Sequence, residues 1–238
     1  MKKTLLTIAL WTINAMLTNM MNGQTLGFKV GILVAMEKER GLLEGLEDNG
    51  AVIINQCGIG KVNAAVGCME MIREFHPDII LSLGCAGGNG DGLQLGDVVV
   101  STETAYHDVY CGADINYGQV QGMPARYECP KWLVEQACKT GSRVVPGLIV
   151  SGDWFVDSKE KMADIIAHFP EARAVDMESA AIAQVCHKYQ IPFVSLRIIS
   201  DLPMSGDNAS QYVGFWDSVS EKTFTVAKNF VTQLTIQK

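Results

Sequence analysis

The chain alternates between two kinds of hydrophobic pattern. Short runs rich in β-branched residues, apolar over most of their length, predict strands that are buried in a sheet. Six such runs are present, at residues 28–36, 51–56, 78–84, 97–104, 143–150 and 192–200. Longer segments with apolar residues at helical spacing predict helices at residues 62–75, 131–139, 158–169 and about 217–233.

Strands that alternate with helices indicate an α/β protein, because parallel strands need a crossover connection that is usually a helix. We therefore predict a three-layer α/β/α fold around a central mixed, largely parallel sheet. No linker, low-complexity stretch or internal repeat divides residues 25–238, so this part of the chain is predicted to form a single domain.

The first 24 residues have a different pattern from the rest of the chain. Two lysines precede an apolar stretch that is interrupted by Thr and Asn, and small and polar residues follow it. This order is typical of a secretory signal peptide, and the segment is too short and too polar to span a membrane. We therefore expect a leader at residues 1–24 and a periplasmic or secreted mature protein. The alternative is a cytoplasmic protein that starts at Met20 or Met21, which the unpaired pattern of seven cysteines mildly favours.

Composition and charge exclude several classes of function. The net charge is −7 and basic residues form no cluster, so neither nucleic acid nor an anionic membrane is an expected partner of the mature protein. An odd number of cysteines without a Cys-x-x-Cys pair indicates neither a disulfide framework nor a zinc site. His107 and Asp108 are adjacent, but a single His-Asp step lacks the spacing of a metal site. We therefore expect no metal.

Polar or glycine-rich turns follow five of the predicted strands. They contain Glu37 and Glu39, residues 58–61, residues 84–88, residues 151–155, and the pair Ser200 and Asp201. In an α/β sheet, ligands bind at the carboxyl ends of the strands. Each turn taken alone is more often only a turn, but together at one edge of the sheet they predict a small-molecule site.

Seven motifs occur along the chain in an order and at a spacing similar to those of one known family. They are GILVAMEKE, CGIGKVNAA, GCAGG, LGDVVVSTETAYHD, GLIVSGDWFV, AVDMESAAIAQVCH and RIISD. On these motifs the chain resembles the 5′-methylthioadenosine/S-adenosylhomocysteine nucleosidases of the purine nucleoside phosphorylase-like superfamily, over about residues 28–235. The resemblance implies hydrolysis of the N-glycosidic bond of adenine nucleosides such as 5′-methylthioadenosine and S-adenosylhomocysteine. Water would be the nucleophile, no cofactor would be needed, and the products would be adenine and a 5-thioribose.

This reaction requires an acid and a base. Breaking a purine N-glycosidic bond builds positive charge on the ribose and negative charge on the base, as in glycoside hydrolysis. The resemblance implies that Asp201 protonates adenine N7 and that Glu39 activates the water, while Glu37 remains a surface acid. From the residues alone, Asp201 would be a turn cap and Glu39 a solvated acid at a helix start.

The resemblance also implies which residues bind the sugar. Glu178 is expected to bind the 2′- and 3′-hydroxyls, and Met177 to pack beneath the ribose. Asp176 stands where the family usually has Glu, so its shorter side chain leaves a hydroxyl or water contact open. Arg197 is expected to pair with an acid or to orient the water, and its simplest alternative is an ordinary salt bridge.

The base and the 5′ substituent are assigned to aromatic residues and turns. Phe155 is expected to stack on adenine and the backbone of Val156 to read the edge of the base, whereas Trp154 is expected in the core. Tyr212 or Phe215 is expected to close a mobile lid over the 5′ substituent. The other expected substrate-binding residues are Ile59, Cys85, Ala86, Gly87 and Ser200, of which Cys85 stands where Ser or Thr is usual.

Two features bear on assembly. In the family, the loop at residues 105–127 reaches toward the pocket of a neighbouring subunit, so a homodimer is expected. Between Glu39 and Gly58, only a short helix and one strand fit, where the family normally carries an additional β-hairpin. The loss of this hairpin is expected to trim one edge of the sheet.

Three other functions remain open. A phosphorylase of the same fold would need cationic groups for phosphate, but the turns after the first and third strands carry acids or small residues, with Arg40 just beyond. A futalosine-type hydrolase would be distinguished by the base that it releases. A non-catalytic nucleoside-binding protein is suggested by the leader and by Asp176 and Cys85, but the three acids assigned to catalysis and ribose binding argue against it.

Overall fold

A computed structural model of the protein describes residues 27–218 and 221–236. The expected leader at residues 1–24 lies outside the described residues. The strands are β1 (Val30–Val34), β2 (Val52–Gln56), β3 (Ile79–Gly88), β4 (Val98–Tyr106), β5 (Tyr127–Glu128), β6 (Val144–Ser151), β7 (Ala172–Asp176) and β8 (Phe193–Asp201). The α-helices are α1 (Glu37–Gly41), α2 (Lys61–Phe75), α3 (Lys131–Cys138), α4 (Lys159–His168), α5 (Ser179–Tyr189), α6 (Asn208–Ser218) and α7 (Glu221–Thr235). None of the described helices is long and apolar enough to cross a membrane.

The strands form one mixed sheet that partly closes on itself. β2, β1 and β3 follow one another as parallel neighbours. β3 is also parallel to β8 and antiparallel to β7, and β4 joins β8 to β6, which pairs with β7. These contacts close β3, β8, β4, β6 and β7 into a ring, with the short β5 on the outer edge of β4.

The helices bury their apolar sides against this sheet. β1 and β8 are buried at every position, as expected of strands that are covered on both faces. The largest apolar cluster joins these strands and β3 to α2, α5 and α7, and a second cluster joins α4 to β6 and β7. The predicted α/β fold with a central mixed sheet is therefore confirmed.

Two strands have no clear signature in the hydrophobic pattern. β5 has two residues and β7 has five, with the sequence Ala-Arg-Ala-Val-Asp. The small and charged side chains of β7 give it little of the β-branched character that marks the six longer strands. Its antiparallel pairing with β3, which closes the ring, joins segments far apart in the sequence and could not be predicted from local pattern.

The segment after β8 differs from the expected lid. It contains a 3₁₀ turn at Pro203–Ser205 and then α6, and the last helix begins at Glu221 instead of at about residue 217. Phe215 is 8% exposed and packs in the main core, edge-on to Trp216, so it does not cover a 5′ substituent. Tyr212, which lies about one helical turn earlier, lines the cavity described below.

The connection between Glu39 and Gly58 is short, as predicted. After α1 the chain forms a single 3₁₀ turn at Leu46–Asn49 and the strand β2. β2 pairs with β1 along its whole length and thereby forms the outer edge of the sheet on this side.

Candidate active site

A cavity of about 620 Å³, counted out to its mouth, opens where β1, β3, β6, β7 and β8 end. This is the edge at which α/β sheets bind ligands. The lining residues are Ala35, Met36, Glu39, Ile59, Cys85, Ala86, Gly87, Trp154, Phe155, Val156, Val175, Asp176, Met177, Glu178, Ser200, Asp201 and Tyr212.

The structure brings together all the site residues expected from the sequence except Arg197, which does not line the cavity. Arg197 lies on β8 with only 1% of its surface exposed, directly behind the acids of the cavity wall. Ala35, Met36 and Val175 line the cavity without having been expected. Ala35 and Met36 follow β1, and Val175 is the next-to-last residue of β7; none has a chemical signature beyond that position.

Trp154 does not lie in the core, where the sequence analysis placed it. Its side chain is 55% exposed at the cavity wall, and the ammonium of Lys161 lies 5.2 Å from the centre of its ring. Trp154 occupies the irregular segment between β6 and α4, where no strand or helix periodicity directs a side chain inward. An aromatic residue in such a loop is therefore free to form part of the cavity mouth.

Glu39 is held by the backbone around it. Its Oε2 accepts hydrogen bonds from the N–H groups of Ala35 and Met36, each at 3.0 Å, and its Oε1 accepts one from the N–H of Cys85 at 3.0 Å. The side chain is buried, so Glu39 is not the solvated acid that its charged neighbours suggest, whereas Glu37 is exposed. Burial raises the pKa of Glu39, against the opposing effect of a nearby guanidinium and the three N–H groups.

The nearby guanidinium belongs to Arg197, which holds two further acids. Its Nε donates to Asp176 Oδ2 at 2.6 Å, and its Nη2 donates to Ser82 Oγ at 2.8 Å. The same Nη2 lies 3.6 Å from Glu178 Oε2. An unpaired buried charge is strongly destabilising, so this shared cation allows several acids to remain together in a closed wall.

Asp176 is largely occupied by protein partners. Its Oδ1 accepts a hydrogen bond from the hydroxyl of Ser151, and its Oδ2 accepts hydrogen bonds from both the backbone N–H and the hydroxyl of Ser179. Together with the bond from Arg197, these contacts show that an Asp is long enough to fix the guanidinium here. The contact of Asp176 with a substrate hydroxyl or water stays a prediction.

Gly84 permits the close approach of Glu39 and Arg197. A Cβ at position 84 would overlap both Arg197 Nη1 and Glu39 Oε1. A glycine inside a strand often marks such a place, because only a residue without a side chain leaves the space free. The glycine-rich turn of β3 is thus part of the charge arrangement.

Glu178 lies between β7 and α5. Its Oε1 accepts a hydrogen bond from the N–H of Gly60 at 3.0 Å, at the start of α2. Burial raises the pKa of Glu178 to about 7; Arg197 opposes this rise, and the neighbouring Asp176 and Glu39 add to it. The carboxyl group therefore gains or loses its proton near neutral pH.

Asp201 has surroundings without a cation. Its Oδ1 accepts a hydrogen bond from Ser200 Oγ at 2.7 Å, and its Oδ2 accepts one from Asn208 Nδ2 at 3.1 Å. Burial raises the pKa of Asp201, and these two hydrogen bonds oppose the rise. The acid therefore keeps its proton at a pH where an exposed Asp has lost it, as a general acid must.

Aromatic side chains form the wall near the mouth. Phe155 is 47% exposed and meets Tyr212 edge-on, with ring centres 5.3 Å apart. Tyr212 in turn contacts Trp216 and directs its hydroxyl to Met36 Sδ at 3.7 Å. A flat ring that is fixed at its edge can stack a purine on its face.

Cys85 lies on the cavity wall near both Glu39 and Asp201. Burial, together with the charge of Glu39, raises the pKa of its thiol well above the usual value. A thiol that stays protonated is a poor nucleophile, so covalent catalysis by Cys85 is disfavoured.

Among the described residues, no Lys or Arg side chain lines the cavity. Arg40, the nearest candidate in the sequence, donates to the carbonyl of Ile54 at 2.7 Å and to Glu47 Oε2 at 3.0 Å. The described residues also contain no group of three or more His, Cys, Asp or Glu side chains that could hold a metal ion.

Several supporting residues were not anticipated. Ser82, Ser151 and Ser179 bind the Arg197–Asp176 pair, and Asn208 binds Asp201. The serines come from three separate segments. Ser151 and Ser179 lie inside quoted motifs, but nothing in the sequence indicates that they or Ser82 bind the Arg197–Asp176 pair. Asn208 follows a Gly-Asp pair in a polar stretch, which is a helix-start signal that could have drawn attention to it.

Known proteins share both the sequence and the fold. The family model described as the phosphorylase superfamily matches residues 29–233. A 5′-methylthioadenosine/S-adenosylhomocysteine nucleosidase of Exiguobacterium sp. is 44% identical over 198 residues, which cover 73% of this chain and 84% of the relative.

Two solved structures extend this similarity. The 5′-methylthioadenosine/S-adenosylhomocysteine nucleosidase of Neisseria meningitidis, in complex with methylthio-immucillin-A, has a TM-score of 0.78 and 39% identity, covering 85% of this chain and 97% of that chain. The corresponding enzyme of Colwellia psychrerythraea, in complex with adenine, has a TM-score of 0.82 and 33% identity, covering 90% and 100%. The chain belongs to the 5′-methylthioadenosine/S-adenosylhomocysteine nucleosidase family within the phosphorylase superfamily.

Proposed function

We propose that the protein hydrolyses the N-glycosidic bond of adenine nucleosides such as 5′-methylthioadenosine and S-adenosylhomocysteine, releasing adenine and a 5-thioribose. The observation that carries this proposal is the presence of two buried acids, Glu39 and Asp201, with different partners in one cavity. Glu39 accepts three backbone N–H groups beside Arg197, whereas Asp201 has only neutral partners. The first environment suits a proton acceptor and the second a proton donor.

In the proposed reaction, the oxygen of a water molecule bonds to the anomeric carbon of the ribose while Glu39 takes one of its protons. The bond from this carbon to adenine breaks, its electron pair passes to the base, and Asp201 delivers its proton to N7. Glu178 accepts hydrogen bonds from the 2′- and 3′-hydroxyls as positive charge grows on the sugar. Proton exchange with solvent then returns both catalytic acids to their starting states.

The remaining wall residues position the nucleoside in this proposal. Phe155 stacks on adenine, and the backbone of Val156 reads the edge of the base. The other lining residues contact the sugar, the attacking water and the 5′ substituent; they are Ile59, Cys85, Ala86, Gly87, Met177, Ser200 and Tyr212.

Hydrolysis is favoured over phosphorolysis because the described wall offers no cationic side chain for phosphate. Purified protein should convert 5′-methylthioadenosine to adenine and free 5-methylthioribose at the same rate with and without phosphate, as followed by chromatography. A strict phosphate requirement with a ribose 1-phosphate product would identify a phosphorylase. Release of another base in preference to adenine would favour the futalosine-type alternative, and nucleoside binding without turnover would favour a binding protein.

A homodimer is also part of the proposal. Val62, Val66 and Met69 lie on one face of α2 and are 73%, 51% and 39% exposed. Ile59, which lines the cavity, is 50% exposed next to this face, and contiguous exposed apolar side chains mark interaction surfaces. Light scattering should give the mass of two chains, and Val66→Glu should give one; a monomeric parent protein at micromolar concentration would contradict the dimer.

Export of the mature protein is a separate proposal that depends on the pattern of residues 1–24. Fractionation of expressing cells, with N-terminal sequencing, should find a chain that begins near Gln24 or Thr25 outside the cytoplasm. A cytoplasmic chain that begins at Met20 or Met21 would support the alternative start.

A further inference from the structure

Asn208 is a buried amide that connects two parts of the base-binding wall. It opens α6 and is 2% exposed. Its Nδ2 donates hydrogen bonds to Asp201 Oδ2 at 3.1 Å and to the carbonyl oxygen of Val156 at 3.0 Å. The carbonyl can only accept, so the nitrogen of the amide must face it, and both N–H bonds of the amide are used. The orientation of the amide is therefore fixed.

The segment that delivers Asn208 is closed by its own hydrogen bonds. The N–H of Leu202 donates to Gln211 Oε1 at 2.8 Å. Gln211 Nε2 donates to Ser205 Oγ at 3.0 Å and to Asp207 Oδ1 at 2.8 Å. The first turn of α6 is thus tied back to the end of β8, which places Asn208 beside the last residue of that strand.

We propose that Asn208 is a positioning residue that holds the carboxyl group of Asp201 and the carbonyl of Val156 in register for one adenine base. This inference rests on the proposed function, in which Asp201 protonates the base and the backbone of Val156 reads its edge. The amide nitrogen of Asn208 donates one hydrogen bond to Asp201 Oδ2 and one to the carbonyl oxygen of Val156, so it fixes the positions of these two groups relative to each other. A change at Asn208 therefore acts on proton delivery and base recognition together.

The amide also acts on the proton of Asp201. A donor that always points at Oδ2 stabilises the ionised carboxyl more than the protonated one. Ser200 Oγ differs, because it also lies 3.3 Å from the carbonyl of Ala86 and can turn its hydrogen there. Ser200 Oγ can then accept a hydrogen bond from a protonated Oδ1. Oδ1 is therefore the oxygen that carries the transferable proton.

Few other groups act on this carboxyl. Cys85 faces it from β3 and Tyr212 from α6, and burial raises the pKa of both, so they are neutral at neutral pH. Among the described residues, no cation contributes to the pKa of Asp201. Asn208 and Ser200 are the groups that oppose the effect of burial there, so the loss of Asn208 should leave Asp201 a weaker acid.

The test is Asn208→Leu, which keeps a similar size and removes the donor. The turnover number for 5′-methylthioadenosine should fall about tenfold, because the acid is weaker and less well oriented. Asp201 should keep its proton to higher pH, so the basic limb of the pH profile of kcat should move upward by roughly one pH unit. A role in folding alone would lower Tm and leave this limb in place, and that result would overturn the inference.

Gln211→Ala is the matched control, because it opens the same segment without removing the donor to Asp201. It should lower Tm and leave the basic limb of kcat where the parent protein has it. An equal movement of the limb in Gln211→Ala would show that order of the segment, and not the amide, controls Asp201, and would also overturn the inference.

A second measurement separates this inference from the proposed function. The carboxyl carbon of Asp201 can be titrated by ¹³C NMR in the free protein, without substrate. A parent protein that does not hydrolyse 5′-methylthioadenosine would remove the proposed function. The titration of Asp201 would still decide about Asn208: a higher pKa in Asn208→Leu supports the inference, and an unchanged pKa contradicts it.

Discussion

The acids at the two sides of the cavity have opposite electrostatic surroundings. Glu39, Asp176 and Glu178 surround the guanidinium of Arg197, which is fully buried behind them. Asp201 is equally buried, but its partners are the neutral side chains of Ser200 and Asn208. Three acids are therefore arranged around a positive charge, and the fourth has no cation beside it.

This difference shows how one functional group, the carboxyl, can serve two roles. Burial raises the pKa of a carboxyl group, and a neighbouring cation lowers it. On the Arg197 side the guanidinium opposes the effect of burial, although the pKa values of Glu39 and Glu178 are still raised; on the Asp201 side burial has no cation to oppose it. Two carboxyl groups with contrasting environments are the usual sign of a general base and a general acid.

The largest effect is expected from a test of Asp201 as the general acid. Asp201→Asn keeps the size and most hydrogen bonds but cannot deliver a proton. Turnover of 5′-methylthioadenosine should therefore fall by about 10²–10⁴-fold, while Tm changes little. Loss of a turn cap alone would instead cost about 1 kcal/mol of stability and spare turnover. Near-normal turnover in this variant would exclude Asp201 from the mechanism.

The cation on the other side can be removed directly. Arg197→Met leaves Asp176 and its neighbours without their buried partner and should reduce the free energy of unfolding by about 3–5 kcal/mol in urea titrations. Arg40→Met is the matched control, because the Arg40–Glu47 pair is exposed and its loss should cost about 1 kcal/mol or less. Equal effects of the two substitutions would show that Arg197 does not neutralise a buried cluster.

The raised pKa of Glu178 predicts how the stability of the protein depends on pH. Its value in the folded protein is about 7, above the ordinary value of 4.5, so the folded state binds the proton more tightly than the unfolded state. Stability from this group is present at low pH and is lost as the pH rises from about 4.5 to about 7. The loss should be on the order of 1–3 kcal/mol, and Glu178→Gln should remove it from the pH profile of unfolding. Identical pH slopes in the parent and variant would contradict the assignment.

The smallest effect is expected at the aromatic wall. Phe155→Leu should weaken the binding of adenine about 2–12-fold, because stacking adds about 0.5–1.5 kcal/mol beyond burial. Trp154→Leu is the natural comparison, since Trp154 lies on the same wall but is not expected to stack on the base. Calorimetry should show the larger loss for Phe155→Leu, and the reverse order would assign the base to Trp154.

The sequence by itself determined the parts of the molecule that depend on local pattern. Six strands and the main helices follow from hydrophobic periodicity, since a strand or helix that is buried on a regular face must repeat its apolar residues regularly. Glu39, Glu178 and Asp201 could be named only because the motifs that contain them resemble those of a known family. The edge of the sheet that holds the cavity follows from the same strand ends.

Tertiary structure alone decided the closure of the strand ring, the contacts of Asn208 with Asp201 and Val156, and the exposed position of Trp154. It also decided the state of each acid, because burial and partners come from segments far away in the chain. Glu39 receives an N–H from a residue 46 positions later, and Arg197 reaches a serine 115 positions earlier. The sequence sets which residue is present at each position. The pKa of a carboxyl group depends on burial and on the charges and hydrogen-bond donors that folding brings within a few ångströms.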